Sequence, residues 1–231
     1  MDAPGIIAAL EASKSSAELA NVRKRLQEGE DAFGVRMRVL FDLAKANATV
    51  PLTEVERLLE HPAYEPRMAA FCILDFKARD RKCSRAERQE LYDCYITHHD
   101  RITTWDMVDR SAPRVVGGYL AGGDLGALDV LARADDPLRR RTAITAPLFF
   151  VHAGSDADVA GGFAIAGMLA ADAHPFVHKA VGIFLKHAGE RDRRTLHDFL
   201  EKYATSMPRA ALRLATEKLG PDERQRYLVT S

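Results

Sequence analysis

One recurring pattern limits what this chain can fold into. Glu65-Pro66-Arg67-Met68-Ala69-Ala70-Phe71-Cys72-Ile73-Leu74, Leu138-Arg139-Arg140-Arg141-Thr142-Ala143-Ile144 and Val177-His178-Lys179-Ala180-Val181-Gly182-Ile183-Phe184-Leu185 are built alike. Each carries a basic residue, then a small alanine, then large apolar residues at helical spacing. Ala143 and Ala180 are 37 positions apart, and Ala69 precedes Ala143 by twice that interval. The interposed copy falls near residue 106, and Arg209-Ala210-Ala211-Leu212 reads as a shorter last copy. A period of this length holds two helices. One such pair cannot bury its apolar face alone, so neighbours must stack to make a core. The expectation is an all-α solenoid of HEAT- or armadillo-like helix pairs, right-handed, with about five or six pairs and a concave binding face. Residues 1–231 are expected to form a single HEAT-like repeat domain.

The segments between the copies supply the partner helices, near Ser84–Thr97, Leu125–Arg133, Asp156–Ala170 and Arg194–Thr205. Local punctuation supports them. Asp136-Pro137 reads as an N-cap followed by proline in the first turn. Thr103 with Asp106 has capping-box spacing. Gly122-Gly123 and Gly189 read as helix ends. Pro113 and Pro147 sit where helix is expected, so each should kink a helix or mark a first turn. Asn-Gly hairpin turns and long alternating β-branched runs do not occur in the sequence.

Composition narrows the functional classes. An apolar share of 47% provides for a core, and no apolar run approaches the length needed to span a bilayer. Met1-Asp2-Ala3-Pro4-Gly5 has no basic stretch of the kind that opens a signal peptide. Cys72, Cys83 and Cys94 are odd in number and form no CxxC pair, so they read as reduced thiols of a cytoplasmic protein. Formal net charge is zero, unlike a typical nucleic-acid binder. The distribution is uneven: residues 171–231 hold eleven Lys/Arg against eight Asp/Glu, and residues 1–60 hold eight against ten. No Gly-rich phosphate loop, GxSxG elbow or Cys/His nucleophile pair occurs. His174 and His178 have the i, i+4 spacing of a metal pair, but two ligands do not make a site, and neither a metal nor an organic cofactor is expected. His98-His99 fits a helix end.

The segment in the middle copy carries the sharpest chemistry. Trp105 is the single tryptophan, and Asp109 follows one helical turn later on the same face. Val108, Ala112, Val115, Val116, Tyr119 and Leu120 share that arc, whereas Asp106, Arg110 and Arg114 fall outside it. A carboxylate on an apolar stripe must find a partner or carry out chemistry. Asp109 could therefore cap a helix, pair with Arg141 or act in catalysis. Arg139, Arg140 and Arg141 cannot all be buried. Arg141 shares an arc with Ile144, Leu148 and Val151 and should point inward toward the groove, while the rest of the run suits a solvated face.

Five segments in order resemble the AlkD-type DNA alkylation-repair proteins. They are Phe33-Gly34-Val35-Arg36-Met37, Tyr64-Glu65-Pro66-Arg67, Trp105-Asp106-Met107-Val108-Asp109, Arg140-Arg141-Thr142-Ala143-Ile144 and Lys179-Ala180-Val181-Gly182. The resemblance implies a HEAT-like helical fold and a DNA glycosylase that removes positively charged N3- and N7-alkylpurines from duplex DNA. It further implies that Trp105 touches the lesion's deoxyribose, that Asp109 is the catalytic carboxylate, and that Arg141 binds a nearby phosphate. Arg140 and Lys179 are candidate DNA contacts of the same kind. Tyr64 and Glu65 suit the fold rather than the chemistry. Leu138 and Ile183 stand where the family carries further tryptophans, so the lesion grip differs here. The chain is expected to act as a monomer. The alternative is a non-catalytic scaffold that binds nucleic acid or protein through its concave face.

Overall fold

A computed structural model describes residues 1–229, and its regular structure is entirely helical among them. Cα packing divides the chain into two compact units, Met1–Tyr119 and Leu120–Ser231. The first unit contains α1 (Ala3–Ala12), α2 (Ser16–Arg23), α3 (Met37–Ala46), α4 (Leu52–Leu59), α5 (Tyr64–Ala78), α6 (Arg85–Thr97) and α7 (Trp105–Ala112). A 3₁₀ turn, His99–Arg101, leads into α7, and a π-helical turn, Pro113–Gly117, follows it. A short α8 (Gly118–Leu120) ends that run. The second unit contains α9 (Gly126–Ala132), α10 (Pro137–Thr145), α11 (Leu148–Ala153), α12 (Asp156–Met168), α13 (Pro175–Arg191), α14 (Arg193–Tyr203), α15 (Arg209–Ala215) and α16 (Pro221–Val229).

The 37-residue recurrence marks one helix class. Its copies fall on α5, α7, α10 and α13, the shorter last copy falls on α15, and the expected partner segments fall on α6, α9, α12 and α14. Within the first unit α5 packs on α7, and within the second α13 packs between α10 and α15. The architecture is thus a stack of helix pairs of the α-solenoid class. Each unit is organised around one repeat helix. In the first it is α5, where every residue from Tyr64 to Asp75 is buried. A helix with that little solvent on any side must sit inside a shell of others, and α3, α4, α6 and α7 supply it. In the second it is α13, which also meets α11, α12 and α14.

Glu65 shows how buried charge builds this core. Its carboxylate is fully buried and accepts from the backbone N–H groups of Phe33 (2.7 Å), Gly34 (2.7 Å) and Val35 (3.2 Å). The loop before α3 therefore has its donors satisfied by a side chain from α5. Gly34 adopts φ +78°, and a Cβ there would meet Ser15 O at 2.5 Å and the Leu19 N at 2.6 Å, so only glycine fits.

The helix punctuation follows the sequence in most places. Asp136 caps α10 through its side chain to the Leu138 N–H (2.9 Å), with Pro137 in the first turn. Gly122, at φ +71°, lies just beyond α8. His98 ends α6, and His99 is buried in the 3₁₀ turn. Two expectations are corrected. Gly189 lies inside α13 rather than at its end; a Cβ there would meet Leu196 Cδ2 at 2.3 Å, so the glycine serves close packing on α14. Thr104, not Thr103, occupies the N-cap of α7, because the Thr103 hydroxyl donates to Glu30 instead.

Candidate functional site

Helix α7 begins at Trp105. Its first turn carries Asp106, which suits the positive end of the helix dipole. Met107, Val108, Ser111 and Ala112 are buried against the first unit's core. Trp105 remains 37% exposed, and Asp109, one turn on, is half-buried. An indole and a carboxylate thus stand together on the side of α7 that its own core does not cover.

Asp106 is where the sequence reading fails. It was expected outside the buried arc, but only 9% of it is exposed. Its Oδ2 accepts from the Tyr64 hydroxyl (2.8 Å) and from Arg25 Nη1 (3.1 Å), and its Oδ1 accepts from the Thr104 hydroxyl. A helical wheel weighs only neighbours on the same helix. Tyr64 and Arg25 come from elsewhere in the chain and make burial of the charge affordable. Burial, reinforced by the Asp106 charge, pushes ionisation of the Tyr64 phenol far above its ordinary range. The resulting Arg25–Asp106–Tyr64 network pins the first turn of α7 beneath Trp105.

The C-terminal end of α7 is shaped by Pro113. Proline has no N–H to donate to the Asp109 carbonyl, so the regular i→i−4 ladder is interrupted there and the chain passes into a π turn. On the flank of the same helix, Arg110 pairs with the fully buried Asp75 of α5 (3.0 Å). Sequence inspection did not single out Asp75. It lies in an apolar run, and its partners come from other turns and another helix.

In the second unit, Arg141 is 4% exposed, and its guanidinium donates to the Phe176 carbonyl at the start of α13. The side chain is turned into the second unit's own packing. Arg140 is committed to local structure. Its Nε pairs with Asp172 (2.7 Å) and its Nη1 donates to the carbonyls of Ala134 (2.9 Å) and Asp135 (2.7 Å). Leu138 is buried, Lys179 is exposed and Ile183 is half-buried. Gly182, from the same motif as Lys179, lies where a Cβ would meet the Ala211 carbonyl oxygen at 2.6 Å and Leu214 Cβ at 2.8 Å, so it lets α13 and α15 approach closely. His174 caps α13, its Nδ1 accepting from the Phe176 N–H (3.2 Å). No cluster of three or more metal-ligating side chains occurs among the described residues, and none of their helices is long and apolar enough to cross a membrane.

Residues 6–219 match the family model described as DNA alkylation repair enzyme. Among solved structures, the chain is similar to a predicted DNA alkylation repair enzyme from Enterococcus faecalis, with a TM-score of 0.68 at 15% identity. That alignment covers 90% of this chain and 98% of the other. Comparison with curated proteins finds no match. The family match spans nearly the whole chain and the shared fold agrees with it: the chain belongs to the DNA alkylation repair enzyme family, which gives it a role in the repair of alkylated DNA.

Proposed function

We propose that this protein is a DNA glycosylase that excises positively charged N3- and N7-alkylated purines from duplex DNA. The observation that carries the reading is the pairing of a part-exposed Trp105 and a half-buried Asp109 one turn apart on α7, with Asp106 anchoring that helix from below. An alkylated purine already bears positive charge and leaves without a general acid. Cleavage of its N-glycosidic bond develops positive charge on the sugar. The Asp109 carboxylate stabilises that charge and orients the attacking water. The Trp105 face attracts the cationic sugar and base. Lys179 supplies a backbone phosphate contact, while Arg141 and Arg140 act from within the fold, the first through the Phe176 carbonyl and the second through Asp172 and the chain before α10. Leu138 is buried and Ile183 is aliphatic and half-buried, so Trp105 is the principal aromatic contact to the lesion. The enzyme works as a cytoplasmic monomer without metal or organic cofactor.

A second reading, a non-catalytic scaffold, is favoured by the engagement of Arg140 in the fold and the burial of Leu138. One experiment separates the two. Duplex DNA carrying a single 7-methylguanine is incubated with the protein, and free base and abasic sites are counted. The expected result is base release by the parent protein and its loss in Asp109→Asn. No release above the uncatalysed rate by the parent would leave the scaffold standing.

A further inference from the structure

Three arginines converge on one buried carboxylate beside the Trp105–Asp109 face. Asp75 of α5 is fully buried. Arg79, one turn later on α5, donates through Nε to its Oδ2 at 2.8 Å. Arg110 of α7 reaches the same oxygen at 3.0 Å, and Nη1 of Arg114, in the π turn, lies 3.6 Å from Oδ1. Among the described residues no other carboxylate pairs with these arginines. The cluster therefore holds two positive charges beyond what Asp75 neutralises.

The cluster is also rigid and open on one side. Arg110 lies over the rings of Phe41 and Phe76, 4.5 and 4.7 Å from their centroids. Arg79 lies 5.3 Å from the centroid of the Phe76 ring. Guanidinium groups held this way lose little freedom when they bind an anion. The side chains of Arg79 and Arg114 keep 38% and 43% of their exposure, so the surplus charge faces solvent. The 3.6 Å approach of Arg114 is too long for a hydrogen bond, so this contact with Asp75 does not use its Nη1 donors. Forked planar donors with surplus positive charge suit a phosphodiester.

We propose that Arg79, Arg110 and Arg114 form a phosphate-binding patch for the backbone of duplex DNA, set beside the Trp105–Asp109 face of α7. The proposal rests on the glycosylase reading for its ligand. Arg110 follows Asp109 directly, about 100° around the helix, so a strand that brings a sugar to Asp109 passes the patch with its neighbouring phosphates. Asp75 acts as the buried counter-charge that gathers the three guanidiniums.

The test is fluorescence anisotropy of a labelled, undamaged duplex titrated with the full chain at several NaCl concentrations. Arg114→Gln and Arg79→Gln should each weaken binding about threefold or more between 50 and 200 mM salt. Each should flatten the slope of log affinity against log salt by about 0.9, the loss of one phosphate contact. Arg114→Lys keeps the charge and should restore the slope, which a mere folding defect in Arg114→Gln would not predict. Arg57→Gln removes the same charge from α4, outside the patch, and should leave the slope as in the parent. Parent binding with unchanged slopes in Arg79→Gln and Arg114→Gln overturns the patch and leaves the glycosylase reading intact. Absence of any duplex binding by the parent at low salt overturns both.

Discussion

Two aspartates three residues apart on α7 sit in different surroundings. Asp106 is buried with three side-chain donors around it, whereas Asp109 is half-buried beside an exposed indole. Asp106→Ala should strand Tyr64 and Arg25 and lower stability by about 2–3 kcal/mol, read by chemical denaturation. Asp109→Asn should lower base release by about 10²–10³-fold, the usual loss for a preorganised electrostatic group, while shifting the melting temperature less than Asp106→Ala does. An Asp109 variant that unfolds as readily as the Asp106 variant would make Asp109 a structural residue. The cysteines allow a separate check. Burial pushes the thiols of Cys72 and Cys94 up to about 12, and Cys83 is raised by burial but is half-exposed. Thiol labelling of the native protein near pH 8 should modify Cys83 first; labelling of Cys72 ahead of it would contradict the packing of α5. At this scale the sequence was partly legible. The Trp105/Asp109 spacing and the burial of Arg141 could be read from a single helix. Asp75 and Asp106 could not, because the groups that permit their burial lie on other elements, Arg25 being 81 positions from Asp106.

Helices were easier to read than the joints between them. A 37-residue interval located α5, α7, α10 and α13, and the shorter Arg209-Ala210-Ala211-Leu212 copy located α15, since periodic apolar residues survive even where identities drift. Glycine was ambiguous: Gly189 looks like a stop signal but is a packing position. Only a neighbouring helix distinguishes the two. Gly182→Ala should force α15 away from α13 and cost about 1–3 kcal/mol, more than Gly189→Ala, whose nearest neighbour is the flexible end of Leu196. Equal costs, measured by urea titration, would argue against that close approach. The start of α12 carries a pH dependence. Burial opposes the charge of Asp158, yet the N–H of Gly122 and both the N–H and hydroxyl of Ser155 hold its carboxyl below the ordinary value. A depressed acid stabilises the fold above its unfolded pKa, and that contribution is lost as pH falls through the folded one. Stability should therefore decline below about pH 4, and Asp158→Asn should flatten that decline. An identical acid limb in the variant would remove Asp158 as its source.

For the whole molecule, zero net charge gives no hint of a polyanionic partner, because positive charge is concentrated in places rather than in excess. Binding to duplex DNA should accordingly be weak and salt-sensitive, with a measurable slope of log affinity against log salt. The two compact units were not visible in the sequence, where the repeat continues with the same period across residue 119. Each has its own buried centre, α5 in one and α13 in the other. Trp105 adds an optical consequence. It is the chain's single indole fluorophore, it belongs to the first unit, and it is partly in water. Its emission reports on α7 alone, while circular dichroism sees helices of both units. Phe184→Ala, a cavity placed in α13 at a fully buried ring, should move the dichroism transition further than the emission transition. A lesion-bearing duplex that covers the indole should shift its emission to the blue before any bond is broken, so binding and chemistry could be timed separately without a label.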